Sequence, residues 1–145
     1  MNFANSFLQA YGPIECFQQA VENDPSYALA YAGLADCYVL LGWNSYLPPK
    51  EAFPKGKAGA KAALQLDQDL AEAHTPLAAL LWLHDWQWDK AQTEFKRSLE
   101  LSPNYPTANH WYAEYAMTMG RYEEALARMK NTQDLELSIW TPTTP

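Results

Sequence analysis

VENDPSYALAYAGLADCYVLLG, Val21 to Gly42, is the stretch whose reading decides the fold. It runs from the apolar end of one helix, through an acidic residue and a proline, into a helix rich in alanine and aromatics. The same layout returns in LQLDQDLAEAHTPLAALLWLHDW (Leu64 to Trp86) and in LELSPNYPTANHWYAEYAMTMG (Leu99 to Gly120). The breaker positions Pro25, Gln68 and Pro103 stand 43 and 35 residues apart. A period in this range marks a solenoid, whose units bury their apolar faces only by stacking on neighbours. Stacked helix pairs present surfaces, so the first expectation is a binding module without chemistry of its own.

Outward from that stretch, Tyr31, Leu34, Ala35, Tyr38 and Leu41 fall at the spacing of an amphipathic helix. Asp24 supplies its cap region, with Pro25 placed where a missing N–H costs little. Gly42 is expected to end it, and Gly120 to end the third such helix, because glycine accepts the left-handed conformation. RYEEALARMK then reads as a helix in which Glu124 pairs with Arg128 one turn on. Upstream, residues 13–24 supply a lone helix. Between Trp43 and Pro54 lies a proline-rich connection, and the helix ending at Leu66 begins at Pro54 or kinks there. Pro76 predicts a bend in the helix from Ala71 to His84. No segment alternates as a strand does. The chain is therefore expected to be all-α, with about seven helices in antiparallel pairs.

Composition narrows the function classes. The chain has 145 residues, is 48% hydrophobic and carries a net charge of −7, which is too apolar for intrinsic disorder. Its 10 Lys and Arg are dispersed along the sequence, so neither nucleic acid nor an anionic membrane surface is an expected partner. The start lacks the basic region of a signal peptide, and no run of 18 apolar residues occurs. Cys16 and Cys37 read as small hydrophobes on apolar helix faces rather than as a secreted disulfide framework. A cytoplasmic protein is expected.

The repeats resemble the tetratricopeptide family, whose units are helix–turn–helix pairs with small and bulky residues at fixed places. In the first unit the matching residues are Tyr31, Leu34, Ala35, Tyr38, Gly42, Ala63 and Gln68. The second matches at His74, Leu77, Ala78, Leu81, Ala91, Phe95, Ser98 and Pro103. The third matches at Asn109, Tyr112, Ala113, Ala116, Gly120, Tyr122, Ala125, Met129, Thr132 and Leu137. Phe17 and Ala20 resemble the closing helix of a further unit. The first unit carries about nine extra residues relative to the family's usual period. The wording YAGLADCYVLLG and MGRYEEAL further resembles repeat domains attached to bacterial cyclase-type or winged-helix regulators. The resemblance implies a right-handed solenoid. It divides into an N-terminal half repeat (1–27), three repeats (28–68, 71–103 and 106–137) and a tail (138–145).

Chemistry is sparse. Asp67 with Asp69, and Glu123 with Glu124, sit at helix ends, where capping and solvation account for them. His74 and His84 lie roughly 15 Å apart along one helix, too far to share an ion, and His110 has no evident partner. No metal, no cofactor and no enzyme activity are expected, because no catalytic motif or nucleophile triad is present. Tyr31, Tyr38, Tyr112 and Tyr122 occupy packing positions, and Trp86 and Trp88 are expected to pack over their helix junction. Trp82 reads equally as groove lining or as core.

The resemblance also implies a concave groove lined by the first helix of each pair. Its residues would be Leu29, Ala32, Asp36 and Val39, then Glu72, Thr75, Ala79 and Trp82, then Thr107, His110, Glu114 and Met117. Family members that hold a peptide carboxylate use Lys, Arg and Asn at such places, whereas Asp36 and Glu114 here would repel one. The expected partner is a protein or peptide with a basic or amphipathic segment. The competing reading is an oligomerisation or spacer segment of a longer regulatory protein. The half repeat and the tail LELSIWTPTTP read as cuts through an array. Phe17 and Val21 at one end, and Leu126, Met129 and Leu135 at the other, are left without an evident cap, and predict self-association.

Overall fold

The computed structural model describes the backbone of residues 3–140 and the side chains of residues 11–134. Seven helices follow one another: α1 (Phe3–Asn23), α2 (Ala28–Trp43), α3 (Pro49–Leu66), α4 (Ala71–Leu83), α5 (Trp88–Leu101), α6 (Pro106–Thr118) and α7 (Tyr122–Trp140). Among the described residues there is no strand.

Contacts between successive helices set their directions. Passing back along α2 from Gly42 to Ala35 and Tyr31, the neighbours on α3 advance from Phe53 to Gly56 and Gly59, so the pair is antiparallel. The next inner helix packs on the next outer one, with Thr75 of α4 meeting Ser98 of α5 and His74 meeting Glu94. Tyr112 and Asn109 on α6 meet Glu124 and Arg128 on α7. The first helices also stack on one another, α4 on α2 and α6 on α4. The result is a solenoid of helix pairs. Ahead of them α1 docks on α2, with Phe17 over Gly33 and Ile14 beside Cys37 and Leu41.

Stacking explains why the inner and outer helices differ in pattern. An inner helix touches neighbours on several sides and is apolar nearly all round, whereas an outer helix needs only one apolar stripe. In α2 the buried Ala30, Ala32, Ala35, Cys37, Val39 and Leu41 wrap the helix instead of forming the single stripe expected from sequence. In α5 burial is confined to Ala91, Phe95, Ser98 and Leu99. Phe95 sits fully buried against Tyr112 and Tyr115 of α6, with ring centroids 5.6 Å away in both cases. Its burial alone contributes roughly 1.5–3 kcal/mol. A hydroxyl pair closes the other end of this unit. Thr75 Oγ1 and Ser98 Oγ lie 2.7 Å apart and converge on the Ala71 carbonyl.

Several boundaries differ from the sequence reading. Gly42 lies inside α2, because Phe53 crosses so closely there that a side chain would collide with its ring. The left-handed residue that ends the inner helix is instead Ser45 (φ 59°), and Trp86 (φ 58°) and Gly120 (φ 75°) hold the equivalent places. At each turn the next N–H reaches back to an inner-helix carbonyl: Tyr46 to Leu41, Gln87 to Leu81 and Arg121 to Ala116. Asp24 does not cap α2, which starts after Tyr27 without a side-chain cap. Its carboxylate instead accepts from the Ser26 N–H and hydroxyl. The third helix begins at Pro49, with Pro54 in its second turn.

At the N-terminal end the lone helix expected over 13–24 runs back to Phe3 and contains Pro13. At the other end α7 continues through Trp140, past the expected repeat boundary at 137. The remainder of the expected tail (141–145) and the Leu135 side chain lie outside the described residues. Glu124 accepts from the Tyr112 hydroxyl, and Arg128 lies over the Tyr112 ring, so the two are not the expected ion pair. The cysteines also part: Cys37 is buried, and Cys16 is exposed rather than set on an apolar face.

Candidate functional site

Aromatic side chains govern the inner surface formed by α2, α4 and α6. Trp43, at the end of α2, stands edge-on to Trp82 of α4 at 5.5 Å and tilts against Trp111 of α6 at 6.2 Å. Indoles from α2 and α6 therefore meet across α4. Trp82 is only 8% exposed and also packs edge-on against Tyr115. Trp82 is thus core, not groove lining.

Three other candidates are corrected for the same reason. Val39, Thr75 and Ala79 are wholly buried, and the Thr75 hydroxyl is spent on Ser98 and Ala71. An inner helix surrounded by its neighbours has little free face, and these residues point into packing. Ala32 is buried likewise, whereas Leu29 is exposed at the edge.

What remains accessible falls in two places. The first is a pocket of about 250 Å³ between the end of α2 and α6, lined by Leu40, Trp43, Asn44, His110, Trp111 and Glu114. His110 and Glu114, one turn apart, face each other at 3.2 Å, and Met117 is exposed a turn further on. The second is an acidic cluster in which Asp36 of α2 lies within electrostatic reach of Glu72 in the first turn of α4 and of Tyr105 just before α6. The Asp36 Oδ1 is shut off from solvent and has no hydrogen-bond partner. The residue as a whole is only half-buried. Burial first, and then the charge of Glu72, push its pKa up to about 8. Tyr105 is raised above the usual phenol range, by burial and next by Asp36. Cys37 behind it is pushed up to about 11 for the same reasons, which leaves an inert thiol.

The basic residues of the chain keep to one set of helices. The inner helices α2, α4 and α6 contain no Lys or Arg, while Asp36, Glu72 and Glu114 lie on them. All 10 basic residues stand on α3, α5, α7 or, for Arg121, the turn before α7. Cations dispersed along the sequence are segregated in space. The pattern was legible once the helices alternated inner and outer, but it needed that assignment first.

The histidines have other engagements. His74 Nδ1 meets Glu94 at 2.6 Å and its Nε2 meets the Gln68 carbonyl at 2.8 Å, while the His84 ring packs edge-on to Phe53. Among the described residues no group of three or more His, Cys, Asp or Glu is placed to hold a metal ion. None of their helices is long and apolar enough to cross a membrane.

A second surface escaped the sequence reading. Trp86 and Trp88 do not cover their helix junction; they are 71% and 45% exposed and lean on one another at 6.2 Å. With Trp82, Leu83, Thr118 and Met119 they line an open hollow of about 540 Å³. Trp86 holds a left-handed backbone where the third unit has a glycine, a conformation that costs a bulky residue about 1–2 kcal/mol. Tyr122, expected to be core, is exposed in the neighbouring turn.

This architecture is the tetratricopeptide-repeat fold. The chain is similar to TTC0263, a thermophilic TPR protein of Thermus thermophilus, at 24% identity and a TM-score of 0.70 over 90% of this chain and 71% of that one. It is also similar to MamA of MSR-1, at 18% identity and a TM-score of 0.54 over 90% of this chain and 69% of the other. A further MamA crystal structure matches at 15% identity and a TM-score of 0.52, covering 95% of this chain and 96% of its own. No family model matches the chain, and no curated protein matches it.

Proposed function

We propose that the chain is a protein-interaction module that holds a basic or amphipathic segment of a partner against its concave side. The observation that carries this reading is the division of charge: acids alone on the inner helices, every Lys and Arg elsewhere. A surface of one sign attracts the opposite sign and repels its own, and so selects partners as well as speeding their arrival. The half-buried Trp43 beside Glu114 adds an aromatic anchor of the kind that dominates binding energy.

The test is fluorescence anisotropy with two labelled amphipathic peptides of one hydrophobic pattern, one lysine-rich and one glutamate-rich. The lysine-rich peptide is expected to bind, to weaken as salt rises, and to lose most of its affinity in the Glu72→Lys/Glu114→Lys variant. Equal binding of both peptides, or affinity unmoved by the double reversal, refutes the reading.

A second reading, self-association, is favoured by the outer face of α7. Met129 holds the place that Phe95 holds on α5, yet it is 40% exposed and its neighbour Leu126 is 66% exposed. On α5 that place is covered by the next inner helix; on α7 a second copy would cover it. At the opposite end Phe17 and Val21 are half-buried, so the apolar face there is smaller than the sequence implied.

A further inference from the structure

The strongest unexplained feature of the molecule is the Asp36 carboxyl. Its Oδ1 is the buried side-chain polar atom left without a partner among the described residues. Such an atom forfeits hydrogen bonds to water without replacing them, a cost that folded proteins rarely leave in place. Nothing in the fold needs a carboxyl there. An asparagine has the same shape, and no helix cap, ion pair or turn uses Asp36. Glu72 faces it from α4 and adds repulsion instead of relief. Two acids have been brought together on a surface whose helices carry no Lys or Arg.

We infer that Asp36 and Glu72 form the receptor for a single cationic side chain, a lysine ammonium or an arginine guanidinium, projecting from the segment held on the concave side. This rests on the reading of that side as the interaction surface and assigns one subsite within it. A cation between the two acids lets Asp36 ionise beside Glu72, makes two charge-assisted hydrogen bonds and supplies the donor that Oδ1 lacks. Tyr105, just before α6, lies within electrostatic reach of both acids. The site suits a slender charged tip on an apolar stem, because only part of Asp36 is exposed.

Proton linkage supplies a signature. The groups facing Asp36 are Glu72 from α4 and Tyr105 from the segment before α6, with Cys37 beside it on α2. In the free chain Asp36 keeps its proton up to about pH 8. An arriving cation favours the ionised form, so the proton leaves to solvent as the ion pair forms and the cation keeps its own charge. Binding therefore tightens as pH rises, by about tenfold from pH 7 to pH 9, the factor by which the ionised fraction grows.

The test uses the full chain labelled with ¹⁵N and three small probes: N-acetyl-lysine methylamide, N-acetyl-arginine methylamide and the neutral N-acetyl-norleucine methylamide. The two cationic probes are expected to shift the amide signals of Asp36, Glu72 and Tyr105 saturably and more tightly at pH 9, while norleucine is silent. Asp36→Asn and Glu72→Gln should each abolish those shifts. In the absence of probe, Asp36→Asn should melt above the wild type, because an uncompensated carboxyl has been removed. Four results overturn the inference: norleucine binding as well as lysine, affinity that does not rise with pH, Asp36→Asn melting below the wild type, or shifts confined to His110 and Glu114. The last would leave the concave side as the interaction surface and move the cation elsewhere on it. Binding of neither cationic probe, together with failure of the lysine-rich peptide, would remove the broader reading as well.

Discussion

Replacing Gly42 by alanine sets local propensity against packing. Gly42 lies within α2, and in an exposed helix interior alanine in place of glycine stabilises by about 1 kcal/mol. Here a Cβ would stand 2.4 Å from one ring carbon of Phe53, 2.8 Å from the next and 3.0 Å from the ring tip. Carbon atoms pack at about 3.5–4 Å, so the ring must retreat by roughly 1 Å. It has little room, since Phe53 is itself core and its other face meets His84 at 5.6 Å. Forcing an extra methyl into such packing costs about 1–3 kcal/mol. The net expectation is a loss of about 1 kcal/mol, a fall in Tm of about 2–4 °C for a chain of this size. Gly12→Ala is the control, because its Cβ meets nothing within 4 Å; it should raise Tm by a similar amount. Thermal and urea melts of both variants, with Phe53→Leu alone and combined with Gly42→Ala, measure the coupling. The double variant should recover part of the loss, an interaction of about 0.5–3 kcal/mol. A Gly42→Ala protein at least as stable as the wild type would falsify the close crossing of α2 and α3 at this point.

Two further outcomes are expected. His74 has a raised pKa: burial pulls it down, but the Glu94 and Gln68 hydrogen bonds and the Glu94 charge outweigh that. Its contribution should be full below the ordinary histidine pKa of about 6.5 and lost as pH rises through the folded value. The stability gap between wild type and His74→Gln, from urea melts, should thus shrink between pH 5.5 and pH 8; a gap that widens contradicts the pairing. For the outer face of α7, sedimentation across a wide concentration range should show a dimer that Leu126→Glu/Met129→Glu converts to monomer. A strictly monomeric wild type at high concentration refutes self-association through that face.

The helices, their pairing and the repeat were written in the chain, because both signals are local. Apolar residues, in one stripe on an outer helix such as α5 and nearly all round an inner one such as α2, identify the helices, and the breaker positions Pro25, Gln68 and Pro103 recur once per unit. Inner and outer roles were nearly legible too, since the inner helices lack Lys and Arg altogether. Which apolar residues face solvent was not. Val39, Thr75, Ala79 and Trp82 carry the same local pattern whether they line an open groove or support its floor. The burial of Trp82 depends on Trp43 and Tyr115, and that of Thr75 on Ser98, contacts between residues far apart in sequence. The same holds for Gly42, a stop signal by its chemistry and a crossing point by its neighbour Phe53. Asp36 is the sharpest case. In the sequence it is one acid on a helix; only the stacking of α2, α4 and α6 sets it against Glu72, cuts its Oδ1 off from water and leaves it without a partner. Periodicity determines which elements form, because each helix reads its own few turns. Distant contacts determine which side chains remain free to bind, because exposure belongs to the assembled surface.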